Sequence, residues 1–266
     1  MLNTLKDSFK QAVISIKKHK LLFLLLFITQ LVFLVAASTI LMKFSISIGD
    51  SINEFIEPLE NLANVPEEEI MTALAPLAEK YEHYEQMLKN LTLFVVYMYV
   101  VYIAVNGFNW SLSNLIVNRK AQFIRFQIKF KILFLTFTLP IIAIINVTAK
   151  YVFSIDQIGT SVLFYFIIAI IFAYFMYISF ALIDYAKKIK EIPKVIKKAL
   201  TTGIENILII LPTFFVVMGL PLLCVYIIST QLEANFFLLL SLIAVLILII
   251  NWGRITFITV IKNLEK

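Results

Sequence analysis

Residues 185–218 read YAKKIKEIPKVIKKALTTGIENILIILPTFFVVM, a lysine-rich amphipathic stretch that runs directly into an unbroken apolar one. The same design occurs at 9–35 (FKQAVISIKKHKLLFLLLFITQLVFLV) and at 118–146 (NRKAQFIRFQIKFKILFLTFTLPIIAIIN). Each copy is followed by a second apolar run that returns the chain. The pattern predicts three helical-hairpin repeats and six transmembrane helices, at about 21–42, 91–117, 132–149, 161–184, 204–229 and 236–260. At about 1.5 Å rise per residue, about 20 apolar residues cover a hydrocarbon core of about 30 Å. The expected fold is all-α: a polytopic membrane protein with a single membrane domain over 1–266, basic interfacial helices and an outer helical hairpin inserted at 43–89.

Composition agrees with that reading. Of 266 residues, 61% are hydrophobic and 15% charged, against about 45–50% and about 25% in soluble domains. The net charge of +6 is unevenly placed. Segments 1–20, 118–131, 185–203 and 254–266 carry 19 of the 23 Lys and Arg, whereas 43–89 carries 10 of the 17 acids. Short basic loops face the cytoplasm, so both termini are expected there, with 43–89 outside and the plasma membrane as the location. A nucleic-acid partner is not expected, because the basic residues follow the span ends and form no nucleic-acid-binding motif. Cys224, the only cysteine, sits in an apolar span and reads as a small buried residue.

In chain order, Leu2, Leu5, Phe9, Val13 and Ile16 fall at helical spacing with Lys6, Lys10, Lys17 and Lys20 mainly between them. Such a helix lies in the headgroup layer with its lysines near anionic lipid. The run that follows is too long for a signal-peptide core, so it is expected to be retained despite Ala36-Ala37-Ser38. In the insertion, Ile48, Ile52, Phe55, Leu59 and Leu62 alternate spacings of 4 and 3, as do Ile70, Leu74, Leu77, Tyr81, Tyr84 and Leu88. This is a coiled-coil seam on each arm. Pro66 followed by three glutamates is a strong helix start, and Pro76 should kink or restart the second arm. Phe55, Leu59, Leu74, Leu77, Tyr81 and Tyr84 are the candidate surface for a protein partner or a second copy. Pro140, Pro212 and Pro221 lie within spans and imply packed kinks.

The return spans share a triplet near their basic ends: Asn109-Trp110-Ser111, Ser179-Phe180-Ala181 and Asn251-Trp252-Gly253. Around these triplets lie the polar candidates for a vestibule: Asn106, Asn109, Asn114, Asp184, Asn251 and Arg254. Polar and ionisable groups within spans face a cavity or a partner, and Asp184 and Arg254 stand at comparable depths, where they could pair. The alternatives are snorkelling at the interface and interhelical packing. Tyr165, Tyr174 and Tyr177 read as aromatic packing. No zinc-protease, nucleophile-elbow or phosphate-loop motif is present, so no catalytic residue, metal ligand or cofactor is assigned. His83 with Glu79 reads as a solvated face.

Lys18-His19-Lys20-Leu21-Leu22, and Ala181-Leu182-Ile183-Asp184 followed by Ile196-Lys197-Lys198-Ala199-Leu200, carry a resemblance over most of the chain. It resembles the six-span membrane domain attached to some glycerophosphodiester phosphodiesterases, and that domain's stand-alone bacterial and archaeal relatives. The resemblance implies a six-span fold and carries no catalytic residues with it; the outer hairpin departs from the compact loops of that group. The function expected is non-enzymatic, membrane assembly or partner docking through 43–89. The alternative is a transporter or permease subunit with a polar vestibule.

Overall fold

The computed structural model describes residues 2–62, 77–118, 122–149, 155–231 and 235–265. Among them every regular element is helical and there is no strand. In chain order they are α1 (Leu2–Lys18), α2 (Lys20–Leu62), α3 (Leu77–Val101), a π-helical turn (Tyr102–Asn106), α4 (Gly107–Val117), α5 (Phe123–Ala149), α6 (Ile155–Ala181), two 3-10 turns (Ile183–Tyr185 and Ile189–Glu191), α7 (Ile192–Glu205), α8 (Ile207–Thr230) and α9 (Phe236–Leu264).

Among the described residues, five segments are long and apolar enough to cross a membrane: Lys20–Asp50, Lys89–Val117, Phe164–Ala181, Ile207–Thr230 and Phe236–Leu264. Their surfaces suit lipid rather than water. Leu208, Leu222 and Phe237 are about 70% exposed (71%, 69% and 72%), on helices whose opposite faces are packed. Continuous apolar exposure on that scale belongs against a membrane. The remaining long helix, α5, carries Arg125, Lys129 and Lys131 at its start, and most of its side chains after Pro140 lie outside the described ones.

The three basic preludes fold differently. The first is a separate helix, α1, set off by a turn at His19. The third is also separate, because Asn206 leaves helical geometry between α7 and α8. The second is not separate: α5 runs unbroken from Phe123, with no Gly, Asn or Pro before Pro140 to interrupt it. The interfacial helix expected over 118–131 is therefore the first part of a single long helix. Prolines 140, 212 and 221 stand inside helices α5 and α8.

The Cα positions group into two compact units: residues 1–30 with 106–266, and residues 31–105. In the first, α9 is central and packs on α8, α1, α4 and α6. Its second half is packed on almost every side: Gly253 through Ile261 are all buried, Arg254, Thr256 and Thr259 among them. Gly253 lets α8 approach closely, since a Cβ there would stand 3.1 Å from Val217 Cγ1.

Beside α9, Trp110 of α4 is fully buried, with its ring centre 5.1 Å from Tyr177 and 5.2 Å from Phe180, both edge-on. Phe130 lies 4.4 Å from Phe180, and Tyr177 lies 5.8 Å from Phe257. Aromatic pairs in this arrangement contribute about 0.5–1.5 kcal/mol each beyond the area they bury. Asn109, Trp110, Ser111, Ser179, Phe180, Ala181, Asn251 and Gly253 from the three triplets are buried, and Trp252 stacks on Phe9 at 5.6 Å. A second cluster joins Ala12, Leu26, Leu112, Ile116 and Ile255.

In the second unit, α2 and α3 run antiparallel. Phe33 meets Tyr102, Phe44 meets Phe94 and Tyr97, and Asn90 Nδ2 donates to Ser47 Oγ at 2.8 Å. Of the predicted docking surface, Phe55, Leu59, Leu77, Tyr81 and Tyr84 fall in helical backbone, with side chains outside the described ones. Leu74 lies outside the described residues, as do Pro66 and Pro76.

Candidate functional site

The polar candidates separate into two tiers along α4 and α9. The deeper tier holds Asn106, Asn109, Asn251 and Arg254. The π turn ends on Asn106, and its wider winding shifts the register at which α4 begins. Arg254 Nη2 donates to Asn106 Oδ1 at 3.0 Å, and longer contacts of 3.5 Å reach Gln30 Oε1 and Asn251 Oδ1. Asn109 Nδ2 donates to Gln30 Oε1 at 2.7 Å, while Thr29 Oγ1 donates to Asn109 Oδ1. The guanidinium lies 5.6 Å from the Trp110 ring centre, a cation–π contact. Arg254 is only 5% exposed, so it does not snorkel to the surface.

The second tier holds Asn114 and Asp184. Asp184 Oδ2 accepts from Asn114 Nδ2 at 2.7 Å and Asn118 Nδ2 at 3.2 Å, and lies 3.6 Å from Lys262 Nζ. Lys262 Nζ also donates to Asn114 Oδ1 at 2.6 Å. The expected pairing of Asp184 with Arg254 is thereby corrected: Asp184 takes Lys262 instead. The reason is axial. Asn106 and Asn114, like Arg254 and Lys262, are eight residues apart, about 12 Å along a helix. The matching steps also show that α4 and α9 run parallel.

Sequence reading missed Thr29, Gln30, Asn118, Lys129 and Lys262. Thr29-Gln30 carries the only amide in the apolar run 21–42, a signal that was present. Lys262 looked like any other lysine of a basic tail.

Above the second tier opens a cleft of about 400 Å3, lined by Asn118, Gln122, Arg125, Lys129, Asp184 and Lys187 among others. The loop 182–191 shapes one wall. Glu191 folds it back by accepting from the Lys187 and Lys188 backbone N–H groups at 2.7 and 3.1 Å, which holds its carboxyl below the usual range. Lys129 is buried and donates to the Ala186 carbonyl oxygen. Burial pushes its ammonium below the ordinary lysine range, while the nearby Asp184 pulls the other way. Among the described residues, no group of three or more His, Cys, Asp or Glu is placed to hold a metal.

Fold and site define a helical, multi-pass membrane protein in which Asn106, Asn109, Asn114, Asp184 and Arg254 hydrogen-bond to polar side chains of other helices or loops. Compared with protein-family models, curated proteins and solved structures, the chain has no match in any of the three.

Proposed function

We propose that the chain is a non-enzymatic integral protein of the plasma membrane that serves in assembly, docking a protein partner or a second copy through its 43–89 hairpin. In this reading it crosses the bilayer six times as three hairpin units. Both termini and the basic helices face the cytoplasm, where the lysines meet anionic headgroups. One observation carries the reading of the polar core: Arg254 donates to Asn106, Asn109 to Gln30, and Asn114 to Asp184, so these candidates are engaged by other polar side chains within the bundle. Interhelical hydrogen bonds of this kind average about 0.6 kcal/mol in a membrane and fix how helices pack. The partner surface is left to the hairpin, the one segment whose patterning the bilayer does not require.

The test is mild solubilisation of the native protein and of a variant lacking residues 48–88. Loss of a co-purified protein, or of self-association, with the hairpin supports docking. An unchanged set of partners and an unchanged oligomeric state would refute it.

A second reading, a transporter or permease subunit, is favoured by the cleft that reaches Asp184. It requires that Asp184→Ala or Asn251→Ala abolish a measurable flux.

A further inference from the structure

Beside the cleft above Asp184 lies a second hollow of about 570 Å3, and the two share Arg125, Lys129 and Lys187 as walls. Their chemistry differs. The first is mostly polar, edged by the amides of Asn118 and Gln122 as well as by cations. The second is mostly apolar, lined by Ile128 and Ile189 with Lys188 and Lys190 around them. Ile128 and Ile189 are 44% and 50% exposed, so they leave apolar surface open beside the cations. Five cations therefore line two adjoining hollows, which together make a groove polar on one side and apolar on the other.

Two acids stand nearby, and both are engaged. Asp184 is held by Lys262, Asn114 and Asn118, and Glu191 by two backbone N–H groups and Lys194 at 3.6 Å. Neither neutralises Arg125 or Lys187, whose side chains are exposed at the rim. Lys129, fixed on the Ala186 carbonyl, forms the floor. A planar guanidinium and ammonium groups around one hollow, with the Gln122 amide at its edge, are what a phosphoryl anion requires.

We propose that this groove is a discrete binding site for one phosphoryl anion carrying an apolar tail: the phosphodiester headgroup of an anionic phospholipid, seated between Arg125 and Lys187, with its chain along Ile128 and Ile189. The proposal rests on the reading that the basic end lies in a headgroup layer, and sharpens it from a diffuse positive surface to a single site. A soluble phosphate ester shares the headgroup chemistry and would use the polar half alone.

The test is native mass spectrometry of the full chain in neutral detergent, titrated with phosphatidylglycerol or phosphatidylcholine. Wild type should retain one phosphatidylglycerol at least tenfold more strongly than phosphatidylcholine. Arg125→Gln with Lys187→Gln should lower that retention at least tenfold, whereas Lys6→Gln with Lys10→Gln, on α1, should leave it unchanged. Because all four positions are exposed, folding should survive, and a melting curve on each variant checks it. Glycerol 3-phosphate distinguishes the sources. Failure to displace the lipid assigns the site to lipid, and displacement at millimolar concentration shows that the polar half alone suffices. Equal retention of the two lipids, or equal losses from both double variants, would overturn the site. Neither of those results depends on which way the basic end faces, which cysteine labelling of the hairpin and the basic end reports separately.

Discussion

Arg254 Nη2 donates to Asn106 Oδ1 at 3.0 Å across 148 positions of sequence, joining the middle of α9 to a π turn at the head of α4. Both groups are buried, and Gln30 and Asn251 crowd the same guanidinium. This contact fixes the depth of α9 relative to α4 and sets everything nearer the basic end in register.

Replacing Asn106 with leucine removes the best acceptor for a buried cation. We expect a loss of about 1–2 kcal/mol, above the membrane average because the donor is charged. Asn106→Asp keeps an acceptor and adds a counter-charge, so it should be tolerated. Reversible unfolding in mixed detergent micelles reads both; equal stability of the leucine variant and wild type would show that the contact does not hold the bundle.

Asp184 and Lys262 should be coupled. Their side chains are 29% and 22% exposed, so solvent screens the 3.6 Å pair. A double-mutant cycle with Asp184→Asn and Lys262→Gln should give a coupling of about 0.5–1 kcal/mol that shrinks as salt rises. Asn114 touches both partners, so Asn114→Leu should reduce the coupling further.

The loop 182–191 should loosen in acid. Glu191 has its carboxyl held below the ordinary value of 4.5, chiefly by the Lys188 and then the Lys187 backbone N–H. A lowered folded-state value means that its contribution is fully present above the ordinary carboxylate range. It is lost as pH falls through the lower folded value. Protection of the Lys187 and Lys188 amides against hydrogen exchange, measured relative to their intrinsic rates at each pH, should therefore fall in that acid window, and Glu191→Gln should remove that fall.

Two glycines make opposite predictions. A Cβ at Gly203 would lie 2.9 Å from Ile178 Cδ1 and 3.0 Å from Phe175 Cε1, beside Tyr174, whose hydroxyl donates to the Gly203 carbonyl at 2.9 Å. Gly219, on the exposed face of α8, has nothing within 4 Å. Alanine gains about 1 kcal/mol of helix propensity at either place, but overpacking costs about 1–3 kcal/mol at the first. Gly203→Ala should lower the melting temperature, and Gly219→Ala should leave it unchanged or raise it.

The helical class and five of the six expected apolar crossings were legible because they depend on composition and run length, which a single chain states directly. The triplets were legible too: Asn109, Phe180 and Asn251 reach the core as their recurrence hinted. Partner choice was not, because it depends on depth. Asp184 and Arg254 looked level when counted from span ends, yet the π turn before α4 and the axial step from Arg254 to Lys262 place them in different tiers. Nor did the basic character of 118–131 reveal that α5 continues through it. Lysines at helical spacing describe a face, and only a breaker residue ends a helix. Lys129 was hidden for a related reason, since a loop forty positions and more downstream supplies the carbonyl that buries it.

The orientation of the chain underlies the docking reading, and its lone cysteine makes orientation measurable. In a Cys224→Ser background, single cysteines introduced as Asn64→Cys in the hairpin and Lys190→Cys at the basic end are exposed to a membrane-impermeant maleimide. On intact cells, position 64 should label and position 190 should label only after lysis. Labelling of position 190 on intact cells with protection of position 64 would contradict the account.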